Sequence, residues 1–374
     1  MRILIIGEFS SFSKNLSAGF RLLGHECFVF SWGDGFKSIS QDGDCYNVRQ
    51  PIERNIPNPF RSVIYKTECY CSFVKLRRFV SHMSRTTSWD AVLVLNPGFI
   101  KKKFWQNLFT REMVLSLVEN PNKVYLSACG RDVPYHDYWS KQEWKNRGLI
   151  NQGVEQFLSP SSINHFNYCM TFIHKVIPVM YDYAEAWRKS VYSKNVKVLP
   201  TIPLPVDTSR FTSKNELGEK IVIFHGIIRP EGKGTSYIVE AMNRLQDKYP
   251  DKVECIAKGG MPLNEYLELL MRTNILIDQV YAGSSGMNAL YALAQGKVLL
   301  GGNEPENEIE YQYPGIPIVN IRNDSDMIFK KLENLVNHPD EIKRLSIEGR
   351  KYVATVHDNK VVAKRYIELF GNYD

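Results

Sequence analysis

The sequence predicts an α/β protein built from two doubly wound domains, each a parallel sheet with helices on both faces. Three observations predict it. Short continuous apolar runs, many of them β-branched, alternate along the chain with stretches of helical periodicity. Continuous runs, unlike alternating ones, mark parallel strands covered on both faces. The chain has 374 residues, more than one core usually holds, and this suits two domains of about 150–200 residues each. Finally, residues 199–211 carry prolines at 200, 203 and 205. Proline fixes φ and removes a backbone donor, so this stretch is extended and reads as the linker between domains.

The elements follow in order. The first domain, residues 1–200, opens with a strand over 3–7 and a helix from about Lys14 to Leu23. Further strands are expected over 27–31, 91–96, 124–128 and 175–179. The second domain, residues 201–358, offers strands over 221–225, 253–257, 275–278, 298–300 and 316–321. Between them the spacing predicts helices over 235–248, 262–272 and 326–337; the first places apolar residues at 238, 239, 241, 242 and 245. Strands alternating with helices imply βαβ units. A last helix, over about 359–371, either closes the second domain or returns to the first. No solenoid-spaced repeat and no low-complexity tract is present.

Composition narrows the classes. Hydrophobic residues make up 44% and charged residues 23%, a globular balance that argues against disorder. No run of about 18 apolar residues exists, so no spanning helix is expected. The apolar start, Met1 to Gly7, is too short for a secretory leader and reads as a buried strand. Seven cysteines (27, 45, 69, 71, 129, 169, 255) are odd in number and scattered, with no C-x-x-C. A disulfide framework or zinc site does not fit, and a reducing cytoplasm does. Residues 1–200 carry 26 Lys/Arg against 16 Asp/Glu; residues 201–374 carry 21 against 24. A basic half beside an acidic half suggests different partners, or a solvated surface with modest excess charge. The basic runs Phe73-Val-Lys-Leu-Arg-Arg-Phe79 and Phe99-Ile-Lys-Lys-Lys-Phe-Trp105 either suit an anionic membrane interface or belong to surface helices with one buried face. No nucleic-acid recognition motif accompanies the charge, and none is expected to bind.

Candidate chemistry lies where strands end. Gly7-Glu8 follows the first strand, in a turn that either lets a ligand approach the backbone or is a plain connection. It is not G-x-G-x-x-G, so a nicotinamide fingerprint is absent. Gly130-Arg131-Asp132 ends another strand, with His136 close behind. Asp132 would accept a sugar hydroxyl or face positive charge at a reacting carbon, or else simply pair with Arg131. In the second half, His225-Gly226 leads through Arg229 and Gly232-Lys233-Gly234-Thr235 into a helix, with Thr235 the expected N-cap. Amides at that start, with Arg229 and Lys233, suit a diphosphate leaving group, whose charge grows in the transition state. Gly283-Ser284-Ser285-Gly286-Met287-Asn288 opens a further helix and offers a second amide cradle, with Tyr291 further in. Glu304 and Glu306 follow a later strand and either bind sugar hydroxyls or belong to an acidic loop. Two D-x-D strings, 42–44 and 324–326, sit in a turn-rich stretch and at a helix start, not where a metal-dependent transferase would place them.

The ordered series Phe224-His-Gly, Lys233-Gly-Thr, Asn274-Ile-Leu-Ile-Asp-Gln, Gly286 to Ala292 and Gly296-Lys297 resembles the donor half of GT-B glycosyltransferases, in particular the retaining glycosyltransferase family 4. Pro203-Leu-Pro-Val-Asp207-Thr resembles that family's linker, and Gly130-Arg-Asp132-Val its first-domain turn. The resemblance is clear over 197–374 and faint over 1–196. It implies two Rossmann-like domains facing across a cleft. It implies sugar transfer with retention from a nucleotide-sugar, UDP- or GDP-linked, to a glycan or lipid-linked acceptor, with no cofactor and no essential metal. Arg229, Lys233, Gly234 and residues 284–288 would hold the diphosphate. Gly260, Met261 and Pro262 would border the base. Gly7, Glu8, Arg131 and His136 would lie on the acceptor side, and Asp132 is the candidate catalytic residue. The setting would be cytoplasmic, at most peripheral on the membrane's inner face.

One departure stands out. The family usually carries a Glu, seven residues, then a Glu, of which the second contacts the ribose. Here those positions are Gly283 and Tyr291. Tyr291 offers one hydroxyl where a carboxylate accepts two. Glu304 and Glu306, on the next loop, are expected to take over part of the role. Alternatives on the same fold are a nucleotide-sugar epimerase and a non-catalytic binding subunit.

Overall fold

The computed structural model describes residues 1–49, 60–102, 108–142, 154–227 and 230–372. Two parallel sheets form. The first contains β1 (Arg2–Ile6), β2 (Glu26–Ser31), β3 (Cys45–Asn47), β4 (Ala91–Val94), β5 (Val124–Ala128), β6 (Lys175–Pro178) and β7 (Lys197–Val198) in the order β3-β2-β1-β4-β5-β6-β7. The second contains β8 (Ile221–Ile227), β9 (Val253–Gly259), β10 (Ile275–Ile277), β11 (Val298–Gly301) and β12 (Val319–Asn320) in the order β12-β11-β10-β8-β9. In both sheets the strand order reverses beside the first strand, the switch point at which open α/β sheets leave a crevice.

The central strands are completely buried, because helices cover both faces. Ile3 to Ile6 of β1 run in register between Cys27 to Phe30 of β2 and, from Ile3, Ala91 to Val94 of β4. In the second sheet, one face packs Ile223, Ile275 and Ile277 on the helices Thr235–Lys248 and Ser325–Asn337. The opposite face packs Phe224, Leu276 and Leu299 on the helix Met287–Ala294. That helix spacing matches the apolar pattern of the sequence. Gly234, not Thr235, is the N-cap of the 235–248 helix; it adopts φ +70°, a region that favours glycine.

The chain crosses between the sheets twice. On the first crossing, 199–211, Val206 N donates to His357 O (2.7 Å). On the return, Asn359 N donates to Val206 O (2.8 Å), so the two crossings zip together. Five π-helical residues, Val353–His357, turn the chain there. His357 is buried; its Nδ1 donates to Leu204 O (2.9 Å), which leaves Nε2 to accept from the Tyr352 hydroxyl (2.9 Å). The last helix, Asn359–Asn372, then lies on the first domain. Tyr125 and Phe370 meet with ring centroids 4.7 Å apart, and Phe20 and Tyr366 at 6.2 Å. Gly19 permits the contact: a Cβ there would sit 2.2 Å from Asn359 O.

Candidate nucleotide-sugar cleft

The loops at the carboxyl ends of the two sheets converge. On the first-domain side, Gly7 adopts φ +115°, and a Cβ there would lie 2.4 Å from the Phe99 ring, so the turn requires glycine. Glu8 is buried. Its Oε2 accepts from Lys14 N (3.1 Å) and Gln41 Nε2 (2.7 Å). Burial raises its pKa above the usual carboxylate range. Glu8 therefore supplies an amide acceptor at the start of the Phe12–Leu22 helix, whose N-cap, Ser11, gives no side-chain cap.

Asp132 is buried with both oxygens engaged. Oδ1 caps the Val133–Trp139 helix through Tyr135 N (2.9 Å), and Oδ2 accepts from Trp187 Nε1 (2.9 Å). Burial outweighs these bonds and pushes its pKa up to about 7. The structure thus gives Asp132 a capping task at the turn where the sequence suggested catalysis. His136, in the same helix, is fully buried and stacks on Phe157 with centroids 4.3 Å apart. Among the described residues neither ring nitrogen has a partner, and burial drives its pKa down to about 4. Arg131 is half-buried on the connecting turn, where its carbonyl accepts from Asn96 Nδ2 (3.4 Å).

On the second-domain side, the elbow at Lys233–Gly234–Thr235 is fixed by buried contacts. His225 Nδ1 donates to Ile277 O (2.9 Å), so its Nε2 accepts from Thr235 Oγ1 (3.0 Å). That assigns a neutral ring and explains what Thr235 does instead of capping. A Cβ at Gly234 would lie 2.2 Å from Val280 Cγ2. Lys233 Nζ meets Asp278 Oδ1 at 2.6 Å, both groups buried. Asp278 directly follows β10, so one ion pair joins the two βα turns that the sequence singled out. Arg229 lies outside the described residues.

The 283–288 segment is held from behind. Ser284 Oγ donates to Asn307 Oδ1 (2.7 Å), Ser285 Oγ donates to Gly302 O (3.0 Å), and Asn307 Nδ2 donates to Gly283 O (2.8 Å). Gly286 is the N-cap of the 287–294 helix and gives no side-chain cap, so among the described residues the first amides there have no side-chain acceptor. Asn288 accepts from the Tyr266 hydroxyl (2.6 Å), and Met287 is buried. Gly260 has φ +66° and open space around it, Met261 is half-buried, and Pro262 is the N-cap position of the Leu263–Arg272 helix.

No protein-family model matches the chain, and no curated protein matches it. Solved structures do. The sucrose-phosphate synthase of Thermosynechococcus elongatus superposes with a TM-score of 0.60 at 11% identity, covering 99% of this chain and 98% of that one. HepE of Anabaena, in complex with UDP-glucose, gives 0.58 at 10% identity over 99% of both chains. The UDP-GlcNAc 2-epimerase of Neisseria meningitidis, bound to UDP-GlcNAc, gives 0.51 at 13% identity over the full length of both. The fold is GT-B.

Side chains bridge the GT-B cleft of this chain. Asp182, on the first-domain helix Tyr181–Lys189, reaches across it: Oδ2 accepts from both Gly283 N and Ser284 N, each at 3.1 Å. A Cβ at Gly283 would lie 2.6 Å from Asp182 Oδ1 and 3.1 Å from Glu304 Cγ. This accounts for glycine where the resemblance expects Glu, since a carboxylate from the other domain already fills the space. Tyr291 also bridges the cleft. Its hydroxyl donates to Ser10 O (3.2 Å) and accepts from Asn15 Nδ2 (3.2 Å), and its ring lies 5.2 Å from Phe211. Glu304 is buried and paired with Arg322 (2.9 Å), whereas Glu306 is exposed, its Oε1 3.5 Å from the Tyr181 hydroxyl. Sequence reasoning missed Asp182, Asn15 and Arg322. A helix residue a hundred positions away gives no local sign that it meets a loop; the strand-end position of Asp278 did give one.

Proposed function

We propose that this chain is a glycosyltransferase that takes a sugar from a UDP- or GDP-linked donor and passes it to a glycan or lipid-linked acceptor, with no cofactor and no essential metal. The reading is supported above all by the buried elbow, in which Lys233 and the 278–288 loop are joined at the switch point of the second sheet. In the reaction, the bond between the anomeric carbon and the β-phosphate oxygen breaks. A bond from the acceptor oxygen forms on the same face, and the acceptor proton passes to the departing diphosphate. Lys233, released from Asp278, and the amides at the start of the 287–294 helix would meet the growing negative charge. Asp132 is committed to its helix cap and to Trp187, so the proposal gives it no proton-transfer step. Gly7, Glu8 and Arg131 would border the acceptor.

A second reading, nucleotide-sugar isomerisation, is favoured by the epimerase likeness, since that neighbour holds UDP-GlcNAc. Calorimetric titration with UDP, GDP, ADP, CMP and their sugar conjugates tests both. Selective binding to one nucleotide family, lost in Lys233→Met/Asp278→Asn, supports a donor site. Incubation with the bound conjugate then separates the readings. Nucleotide release that requires an added acceptor supports transfer, and an isomeric nucleotide-sugar formed without one supports epimerisation. Binding to none of the panel overturns both.

A further inference from the structure

The 283–288 segment takes its shape from its own domain. Gly283 O accepts from Glu304 N (2.8 Å) and from Asn307 Nδ2 (2.8 Å), and the hydroxyls of Ser284 and Ser285 tie the loop to Asn307 and Gly302. All of these partners lie in the second domain. The first domain adds a carboxylate. Asp182 Oδ2 accepts from two successive amides, Gly283 N and Ser284 N, each at 3.1 Å, and all three residues are buried. Neighbouring N–H groups that converge on one oxygen are how a backbone turn grips an anion. Asp182 is therefore an occupant of this loop and not its scaffold.

Its helix is well placed to deliver that carboxylate. Asp182 lies in the first turn of the 181–189 helix, and its carbonyl accepts from Trp139 Nε1 (2.8 Å). Two contacts pin this part of the first domain to the second. Arg188 Nη2 donates to Glu310 Oε2 (3.0 Å), and the Tyr311 hydroxyl donates to Val179 O (3.3 Å). A negative charge in a first turn is favoured by that helix's own dipole. Asp182 thus faces two partly positive ends at once, that of its own helix and the amides leading into the 287–294 helix. In the empty cleft it satisfies two buried N–H groups that would otherwise be costly to leave unbonded.

We propose that Asp182 is a built-in competitor of the donor: its carboxylate fills the amide pair that a phosphate of the nucleotide-sugar takes over, so the contact is autoinhibitory. The proposal rests on the donor reading above, which gives the 283–288 amides to the diphosphate. A phosphate oxygen and the Asp182 carboxylate compete for the same two N–H groups, and like charges at that distance repel. Donor binding therefore expels Asp182 from the loop. The affinity then observed is the intrinsic one reduced by the fraction of molecules whose amides are vacant. Gly283 suits this arrangement, because a Cβ there would meet Asp182 Oδ1 at 2.6 Å and bar the carboxylate.

Calorimetric titration of the full chain with UDP and GDP tests the proposal. Whichever nucleotide binds should bind about tenfold more tightly to Asp182→Ala. Asp182→Asn keeps the side chain's shape and loses its charge, so it should tighten binding by a smaller factor, and it carries the test should the alanine variant fail to fold. Glu185→Gln removes a charge from the same helix, but Glu185 bonds the Tyr138 hydroxyl (3.1 Å), so this variant should bind as the unaltered chain does. Without nucleotide, Asp182→Ala should melt below the unaltered chain, and saturating nucleotide should raise its melting temperature by more. A side chain with only a structural role would not produce that larger rise. Equal affinity in all four proteins, weaker binding in both Asp182 variants, or equal tightening by Glu185→Gln would each overturn the inference while leaving the donor reading in place. Binding of neither nucleotide by any of the four would overturn the donor reading and this inference with it.

Discussion

Lys233 and Asp278 form a buried ion pair. Removing one charge leaves the other buried and uncompensated, at a cost of about 3–5 kcal/mol. Lys233→Met should therefore be strongly destabilised in urea unfolding, and Lys233→Met/Asp278→Asn should recover most of that loss while still failing to bind nucleotide. Equal stability of Lys233→Met and the unaltered chain would contradict the pairing. His136 supports a second prediction at this scale. Its pKa of about 4, like that of His357, lies below the unfolded value of about 6.5. The unfolded chain takes up these protons first, so the stability is intact above about pH 6.5 and is lost as pH falls toward 4. Asp132 works in the opposite sense: with a folded pKa of about 7, it makes the fold gain stability as pH falls below that value. His136→Phe keeps the stacking on Phe157 and removes the titrating ring, so denaturation curves from pH 7 to 4 should slope less than those of the unaltered chain. An unchanged slope would show that His136 is not the buried neutral group described above.

At the scale of elements, the contact between the 181–189 helix and the 283–288 loop decides what residue 283 can be. Gly283→Glu would set a second carboxylate against Asp182 and Glu304 and should cost about 1–3 kcal/mol. Pairing it with Asp182→Ala should recover part of the loss, and a double-mutant cycle would measure the coupling. Additive effects would mean that the two positions do not share the space. Asp182→Ala alone leaves two loop amides without their carboxylate, at about 1–3 kcal/mol. The elements themselves were largely legible in the sequence. Ten strands announced themselves as apolar runs, the central ones because helices cover both of their faces. β3 and β7 did not: each is a short edge strand of two or three residues with polar or half-exposed side chains. In the candidate site, glycine-rich elbows such as 232–235 were legible because they need special backbone. The cleft-spanning partners of Gly283 and Tyr291 were not, because they arrive from the other domain.

For the whole molecule, the first GT-B domain depends on a helix that the chain supplies only after the second sheet. Truncation before Asn359 should uncover Phe20 and Tyr125 in the first domain. Hydrogen exchange should then speed up at β1, β4 and β5, while β8, β10 and β11 keep their protection. Loss of protection in the second sheet instead would mean that the helix stabilises the other domain. The comparison with solved structures belongs to this scale as well. Identities of 10–13% alongside full-length superposition indicate that the architecture is shared at this scale.

The double crossing also sets a timetable. The second sheet lies between the first-domain strands and the helix that completes them, so a ribosome releases all of residues 221–320 before Asn359 emerges. Nascent segments fold as they appear. The second domain can close while its predecessor still waits with Phe20 and Tyr125 uncovered. For that interval the earlier half is the vulnerable one, and a chaperone following this chain would find its apolar surface there, around Phe20 and Tyr125.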